Sequence, residues 1–485
     1  MKTAIQLLLY ATTILLVGHG LSQVIFRRAE LPRLHHLTLT LGFGLALTPL
    51  LMFNLALTGV ALTTPHVLLL LSPLMALSLV VGWKQWPLVN AQARIAPLSS
   101  WEKAMLTLIA GSVLFAFLLA MSKPFDVWDA VTTWGFKAQV LYHEQTVYAE
   151  SLLDQADALT RVQPRPQYPL GWPLQQHLAA LMLGRFDAAP IKFTVGLFFG
   201  LLILASYTTA RLWLPRPLAL LGCALLLSLP FIYYQSVFRI VLVGGKKSAI
   251  LGGLADLPLA CFALLSLTAL YRWFVHAEAA QLISAAVFSA AAAFTKNEGL
   301  ALSVIILAML PFFIFHHRHT HRWRAWLLFA SIWAMLIGPW LWFRQHLPVE
   351  QAVARLEWNM DAIIRLGQNA PSVIGFFLSE AVNLFSWGLI WVLWLVLSLQ
   401  QWRFIRETAI KYLYIIILGC LAADMLVVSL APVSNIKRAF YESRAIARLL
   451  FQLAPIVVFV MLHLLHQHWR EPIQRASSPR SEESP

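Results

Sequence analysis

Residues 389–397 read Leu-Ile-Trp-Val-Leu-Trp-Leu-Val-Leu, an unbroken apolar run that decides the class of this protein. A strand of an outer-membrane barrel would alternate apolar and polar residues, and this run does not. Of the 485 residues, 59% are hydrophobic and 12% are charged, whereas soluble proteins carry about 25% charged residues. The net charge of +14 is spread through apolar sequence instead of forming one basic block, so nucleic acid is not expected as a partner. The sequence predicts an all-α polytopic membrane protein whose surroundings are membrane lipids.

Apolar stretches of this kind recur along the chain. About thirteen of them approach the roughly 20 residues that a membrane-spanning helix needs, and they begin near residues 4, 37, 66, 104, 193, 217, 257, 282, 299, 325, 385, 412 and 449. The first stretch follows Lys2 and ends near Gly18, which also suits a signal peptide. The basic residues Arg27, Arg28 and Arg33 after it favour a retained helix followed by a cytoplasmic loop.

The distribution of Lys and Arg predicts the orientation. Loops that fall in the cytoplasm when the N-terminus faces outward are denser in basic residues than the outward loops, as the positive-inside rule requires. The chain then divides into N-terminal helices (1–121), a large outward loop (122–192), a transmembrane core (193–466) and a cytoplasmic tail (467–485). The core contains a second outward loop at 344–371. Loops this long usually carry function.

The large outward loop begins with Lys-Pro-Phe-Asp-Val-Trp-Asp-Ala at residues 123–130. Because proline is favoured in a first helical turn, we expect a helix to start at Pro124. Its spacing would place four polar side chains on one face, namely Asp126, Asp129, Thr133 and Lys137. Two carboxylates at a helix exit are candidates for a general base. Ordinary solvated acids at a helix start are the alternative.

Two further segments combine aromatic or charged residues with apolar flanks. Tyr168 lies in Gln-Tyr-Pro-Leu-Gly-Trp-Pro, which favours a rigid turn that lines a pocket or enters the next helix. Lys296 and Glu298 interrupt two apolar runs, and the run at 282–295 reaches only about 21 Å of the roughly 30 Å core. We therefore expect these charges to be recessed in the membrane, where ionisable groups are usually functional. A structural Lys296–Glu298 pair is the alternative.

Basic residues also gather at outward helix ends, where the positive-inside rule does not place them. They are Arg239, Lys246, Lys247, Lys437, Arg438, Arg444 and Arg448. Guanidinium groups match phosphate oxygens, which suits a phosphorylated lipid. Anchoring to lipid headgroups is the alternative.

Taken in order, these motifs resemble the integral membrane glycosyltransferases of the GT-C superfamily, in the branch that includes protein O-mannosyltransferases and the lipid A aminoarabinose transferase. The resemblance covers most of the chain in architecture. It rests on short motifs: Asp126, Asp129, Trp134 and Lys137; Tyr168-Pro169-Leu170; Ala255-Asp256-Leu257-Pro258; Thr295-Lys296-Asn297-Glu298-Gly299; and Arg448-Leu449 followed by Pro455.

The resemblance implies a GT-C-like helical bundle in a bacterial cytoplasmic (inner) membrane. It further implies an inverting transfer of a sugar from a polyprenyl-phosphate donor to a glycan, lipid or protein acceptor at the outer face. Carried over by resemblance, Asp129 is the first choice for the base and Asp126 the second. The substrate-binding candidates are Lys137, Tyr168, Lys296, Glu298 and Arg448, of which the cations would hold the lipid phosphate. The resemblance assigns no cofactor and leaves open whether a divalent metal takes part.

Two other classes of protein fit the same sequence. A transporter or flippase of a lipid-linked glycan would use the outward carboxylates as gating or coupling groups. In a structural assembly subunit neither Asp126 nor Asp129 would matter. Loss of sugar transfer on neutralising Asp129 would separate the enzyme from both.

Overall fold

The computed structural model describes residues 1–27, 31–85, 97–153, 165–233, 250–316, 322–347, 360–431 and 435–477. Within these ranges the chain forms helices and no strand, which confirms the predicted all-α class. The longer helices, numbered in chain order, are α1 (Lys2–Ile25), α2 (Arg33–Leu57), α3 (Thr64–Gln85), α4 (Ser100–Met121), α5 (Phe136–Glu144), α6 (Gly171–Leu183), α7 (Phe193–Arg211), α8 (Arg216–Leu227), α9 (Asp256–His276), α10 (Ala279–Thr295), α11 (Asn297–His316), α12 (Arg322–Gln345), α13 (Met360–Ala381), α14 (Ile390–Gln400), α15 (Ile410–Leu430) and α16 (Ala445–Ser477).

Shorter helical segments connect these elements. They are π-helical at Ala130–Gly135 and Lys437–Tyr441, 3-10 at Ile250–Gly252, and α-helical at Glu150–Leu153, Ala188–Ile191, Pro230–Tyr233, Leu384–Trp387 and Trp402–Glu407.

Ten helices of the described ranges are long and apolar enough to cross a membrane. They are α1, α2, α3, α4, α7, α9, α11, α12, α15 and α16. The apolar helices α8, α10 and α14 are shorter and occupy the other three positions where the sequence predicts a span. The fold is therefore that of a multi-pass membrane protein, and the count of about thirteen spans stays a prediction.

Helices α9, α10 and α16 form the buried centre of the bundle. Helix α9 packs between α10 and α16, and α10 also lies against α11 and α12. Small residues line these contacts, since α10 carries four consecutive alanines at 290–293, and small side chains let membrane helices approach closely. Hydroxyl groups add interhelical hydrogen bonds, such as Ser266 Oγ to the Ala285 carbonyl at 2.9 Å.

The first two helices cross at glycines. A Cβ atom on Gly18 would collide with the Thr40 carbonyl oxygen, and one on Gly44 would collide with the Ile14 carbonyl oxygen. Only glycine permits this distance between the two backbones. Helix α1 is thereby held tightly against α2.

The described part of the predicted outward loop 122–192 is largely helical and packs against the helices of the bundle. Its helix α6 is buried among other elements: Gln175 Nε2 donates to the Leu45 carbonyl at 2.6 Å, and His177 Nε2 lies 3.1 Å from the Leu62 carbonyl oxygen. The described part of the loop is therefore packed into the protein through this helix.

The expected helix start at Pro124 is wrong. The helix begins at Trp128 and continues through the π-helical segment into α5. The physical reason is packing, because Phe125 and Val127 turn inward to contact Leu254 and Ala130. That requirement holds residues 124–127 out of the helical conformation.

The predicted second outward loop, 344–371, is described only in part. Residues 348–359 lie outside the described ranges, and α13 begins at Met360. The sequence predicts a loop, not a helix, at the start of α13.

Candidate functional site

A buried carboxylate, Asp256, lies at the centre of a charged network at one end of the bundle. Its side chain is 0% exposed, and it is the first residue of α9, where an acid is favoured by the helix dipole. Lys296 Nζ donates to Oδ1 at 3.0 Å, and Gln452 Nε2 donates to the same oxygen at 2.8 Å. Arg448 Nε donates to Oδ2 at 2.9 Å. A buried carboxylate needs such partners.

Arg448 connects this buried acid to a more accessible one. It lies in the first turn of α16, and its Nη1 pairs with Asp129 Oδ2. The Asp129 side chain is 20% exposed, so Asp129 lies at the rim of the network while Asp256 lies beneath it. Burial raises the pKa of Asp129, but the cations Arg448, Arg165 and Lys296 outweigh burial and hold this pKa below its usual range.

Lys296 links the network to a third carboxylate. It adopts an extended backbone at the sharp turn between α10 and α11, and only 6% of its side chain is exposed. Besides Asp256, its Nζ contacts Glu298 Oε1 at 2.6 Å. The charges at this turn are thus recessed, and Lys296 pairs with both acids.

Three carboxylates and two cations therefore alternate through the network: Asp129, Arg448, Asp256, Lys296 and Glu298. Their formal sum is one negative charge when all are ionised. Each cation bridges two acids, which is the arrangement that stabilises charges removed from water. An incoming anion would have to compete with these carboxylates for the two cations.

Tyr168 borders the network from the packed loop. Burial raises the pKa of its phenol, and the nearby Glu298 carboxylate adds to that shift. Its ring stands edge-on to Trp134 with centroids 5.7 Å apart, and the Arg165 guanidinium lies 5.4 Å from its centre. The indole Nε1 of Trp134 is buried and has no hydrogen-bond partner in the described part of the chain. The Tyr168 ring thus lies between a buried indole and a guanidinium group.

The two remaining predicted site residues have different surroundings. Lys137 is buried, and its Nζ donates to the carbonyls of Arg165 and Tyr168 at 2.9 and 2.8 Å. Lys137 therefore fixes the segment that carries Tyr168. Asp126 is exposed and precedes the helix that carries Asp129.

The basic residues predicted near outward helix ends also differ in their partners and exposure. Arg448 joins the network, whereas Arg444 pairs with Glu380 at 3.1 Å. Lys437 and Arg438 are exposed on the π-helical segment. Three others lie outside the described ranges, namely Arg239, Lys246 and Lys247.

The sequence singles out Asp256 only as part of the motif at residues 255–258, without a role in the site, and it does not predict Gln452. The signal for Asp256 was an acid at the very start of a long apolar run, two residues before Pro258. The signal for Gln452 was its spacing of four from Arg448, which places both on one helix face.

A cavity adjoins the network inside the apolar bundle. Glu298, Asp424, Cys420 and Gln452 line it together with aliphatic side chains. Glu298 Oε2 has no hydrogen-bond partner among the described residues. Asp424, which lies in the candidate span α15, faces the same cavity as Glu298.

Within the described ranges, no group of three His, Cys, Asp or Glu residues is arranged to hold a metal ion. The three cysteines are free and buried. Comparison with protein-family models, curated proteins and solved structures gave no match to this chain. The resemblance to GT-C glycosyltransferases stays a prediction from the residues.

Proposed function

We propose that this protein is an inverting glycosyltransferase that moves a sugar from a polyprenyl-phosphate donor to an acceptor hydroxyl at the outer face of a bacterial cytoplasmic membrane. One observation carries the proposal: Arg448 joins the rim carboxylate Asp129 to the buried Asp256, which also holds Lys296. A base and two phosphate-binding cations then lie together at one end of an apolar bundle, where a lipid-borne phosphate can arrive from the membrane.

The chemical step needs both signs of charge. Asp129 accepts the proton of the acceptor hydroxyl, and the oxygen forms a bond to the anomeric carbon of the sugar. The bond between that carbon and the phosphate oxygen breaks, and polyprenyl phosphate leaves as an anion. Arg448 and Lys296 stabilise the charge that develops on the departing phosphate.

Pairing with Arg448 has a consequence for Asp129. A carboxylate whose pKa is held low is a weak base. A donor phosphate that draws the Arg448 guanidinium toward itself releases Asp129 and raises the pKa of that carboxyl. Donor binding would thereby activate the base, while Asp256 keeps the side chain of Arg448 in place.

The remaining residues have supporting roles in this proposal. Tyr168 and Glu298 border the network and offer hydrogen-bonding groups to sugar hydroxyls. Lys137 positions Tyr168 through the two backbone carbonyls that it holds. The acceptor is a glycan, a lipid or a protein.

The test is release of polyprenyl phosphate from polyprenyl-phosphate sugars by the purified protein in liposomes. Asp129→Asn should lower turnover roughly 100-fold or more, as loss of a general base does, while donor binding persists. Asp187→Asn is the matched control, because Asp187 is an exposed acid paired with Arg185 on the protein surface. Normal turnover in Asp129→Asn, or none in the unaltered protein with any donor, would contradict the proposal.

One observation favours a transporter or flippase of a lipid-linked glycan as the second candidate. Asp424 and Glu298 line a cavity within the apolar bundle, and intramembrane acids often serve proton coupling. A flippase would move the donor between leaflets without releasing polyprenyl phosphate. Asp424→Asn would then abolish movement, whereas the enzyme would retain transfer in that variant.

A further inference from the structure

Helix α13 exposes an apolar face. Its exposed apolar side chains are Met360, Ile363, Ile364, Ile374 and Leu378, each between 46% and 69% exposed. At about 100° per residue they fall within one sector of the helix, together with Gly367 and Pro371. Such a row of large apolar groups requires a cover.

A narrow polar strip runs beside this sector. It consists of four exposed residues, Asp361, Gln368, Ser372 and Ser379. Their spacings of seven, four and seven residues keep them near one angle, about 100° from the centre of the apolar sector. The exposed surface of α13 is therefore divided lengthwise into an apolar and a polar part.

The third side of α13 is packed against the protein. Ala362, Val373 and Phe377 are buried. Arg365 Nε donates to the Leu430 carbonyl at 3.3 Å, and Asn369 Nδ2 donates to the Ser429 carbonyl at 3.0 Å. These carbonyls belong to the last turn of α15, a candidate membrane span. The part of α13 around Arg365 and Asn369 thus lies at the level where an apolar span ends.

The other end of α13 lies about one helical turn away from the charged network. Glu380 is buried and accepts from Arg444 Nη1 at 3.1 Å. Arg444 lies one turn before Arg448, and Arg448 N donates to the Arg444 carbonyl at 3.1 Å. Helix α13 therefore lies on the same side of the membrane as Arg448.

We propose that α13 is an interfacial helix, seated in the lipid leaflet next to the charged network. Its apolar sector lies among lipid chains and its polar strip faces water, as in helices that lie in the membrane plane. Lipid fits this surface because the apolar sector continues onto Phe385, which is 77% exposed, and onto exposed leucines of the apolar helix α14. The bilayer that surrounds α14 covers α13 without any further partner.

Adjacent residues of α13 give a matched test. Leu378→Cys and Ser379→Cys are labelled with the fluorophore NBD and placed in vesicles of phosphatidylethanolamine and phosphatidylglycerol. Doxyl-labelled phosphatidylcholine should quench the label at 378 at least twice as strongly as the label at 379, and aqueous iodide should show the opposite preference. Ile364→Cys and Gln368→Cys repeat the comparison near the other end of the helix, so a folding defect in one variant does not decide the outcome.

Two results would overturn the inference. Equal iodide quenching within both pairs would place α13 in water, away from the bilayer. Protection of positions 364 and 378 from both quenchers would mean that protein covers the apolar sector. The measurement needs no sugar transfer, so it is independent of the proposed enzyme activity.

Discussion

Replacing Asp256 with Asn tests whether the network is held together by its buried centre. The substitution removes a negative charge from a side chain that is 0% exposed and replaces one acceptor oxygen with an NH₂ donor. Because both carboxylate oxygens accept hydrogen bonds, the new donor must face another donor. Removing one partner of a buried ion pair costs about 3–5 kcal/mol. Glu298 and Asp129 each still hold one cation, so we expect about 3 kcal/mol.

The assay is denaturant unfolding in detergent micelles, with the free energy of unfolding as the measured quantity. Asp187→Asn is the control, since its exposed pair with Arg185 should contribute at most about 1 kcal/mol. Combining Asp256→Asn with Lys296→Gln should cost less than the sum of the single changes, by about 1–3 kcal/mol. A loss below about 0.5 kcal/mol in Asp256→Asn, or additive single effects, would refute the reasoning.

Two further predictions concern the scaffold. Gly44→Ala should lower the free energy of unfolding by about 1–3 kcal/mol, because the added Cβ meets the Ile14 carbonyl oxygen. Gly111→Ala is the control, because a Cβ at Gly111 meets nothing within 4 Å. This control should be neutral or should stabilise the protein by up to about 1 kcal/mol. Burial lowers the pKa of His177 from 6.5 to about 4. The folded protein therefore holds His177 in its neutral form, and this costs nothing above pH 6.5. As the pH falls from 6.5 toward 4, the free energy of unfolding should decrease by at most about 3 kcal/mol. In unfolding measurements over that range, His177→Leu should remove this decrease in the free energy of unfolding, and an unchanged pH dependence in the variant would contradict the prediction.

The spanning helices could be predicted because length and hydropathy nearly determine them in a lipid solvent. Helix α13 could not be found by that criterion. Gly367, Pro371 and its polar strip interrupt the apolar character, so no continuous apolar run exists. Its signal is a period of 3.6 residues, which only a search for amphipathic helices detects.

The site was predictable in composition but not in its pairings. Asp129 and Arg448 are 319 residues apart in the chain, and Asp256 and Arg448 are 192 apart. Topology placed these groups at one end of the bundle, but which acid meets which cation depends on helix rotation. Lys137 shows that helical spacing does not predict the partner of a side chain. The spacing placed Lys137 on the same face as Asp129, but in the fold its Nζ donates to two backbone carbonyls.

The division of roles between the two aspartates follows from the face of α16 that meets them. Arg448 and Gln452 are spaced by four, so they lie on one face of that helix. Arg448 and Gln452 both donate to Asp256, which Lys296 also contacts, whereas Asp129 accepts a hydrogen bond from Arg448 at the rim of the network. Asp256 is fully buried while Asp129 is partly open to solvent, so losing a hydrogen bond costs less at Asp129 than at Asp256. In the proposed mechanism, Asp129 therefore changes partner when the donor phosphate arrives, while Asp256 keeps both cations in position.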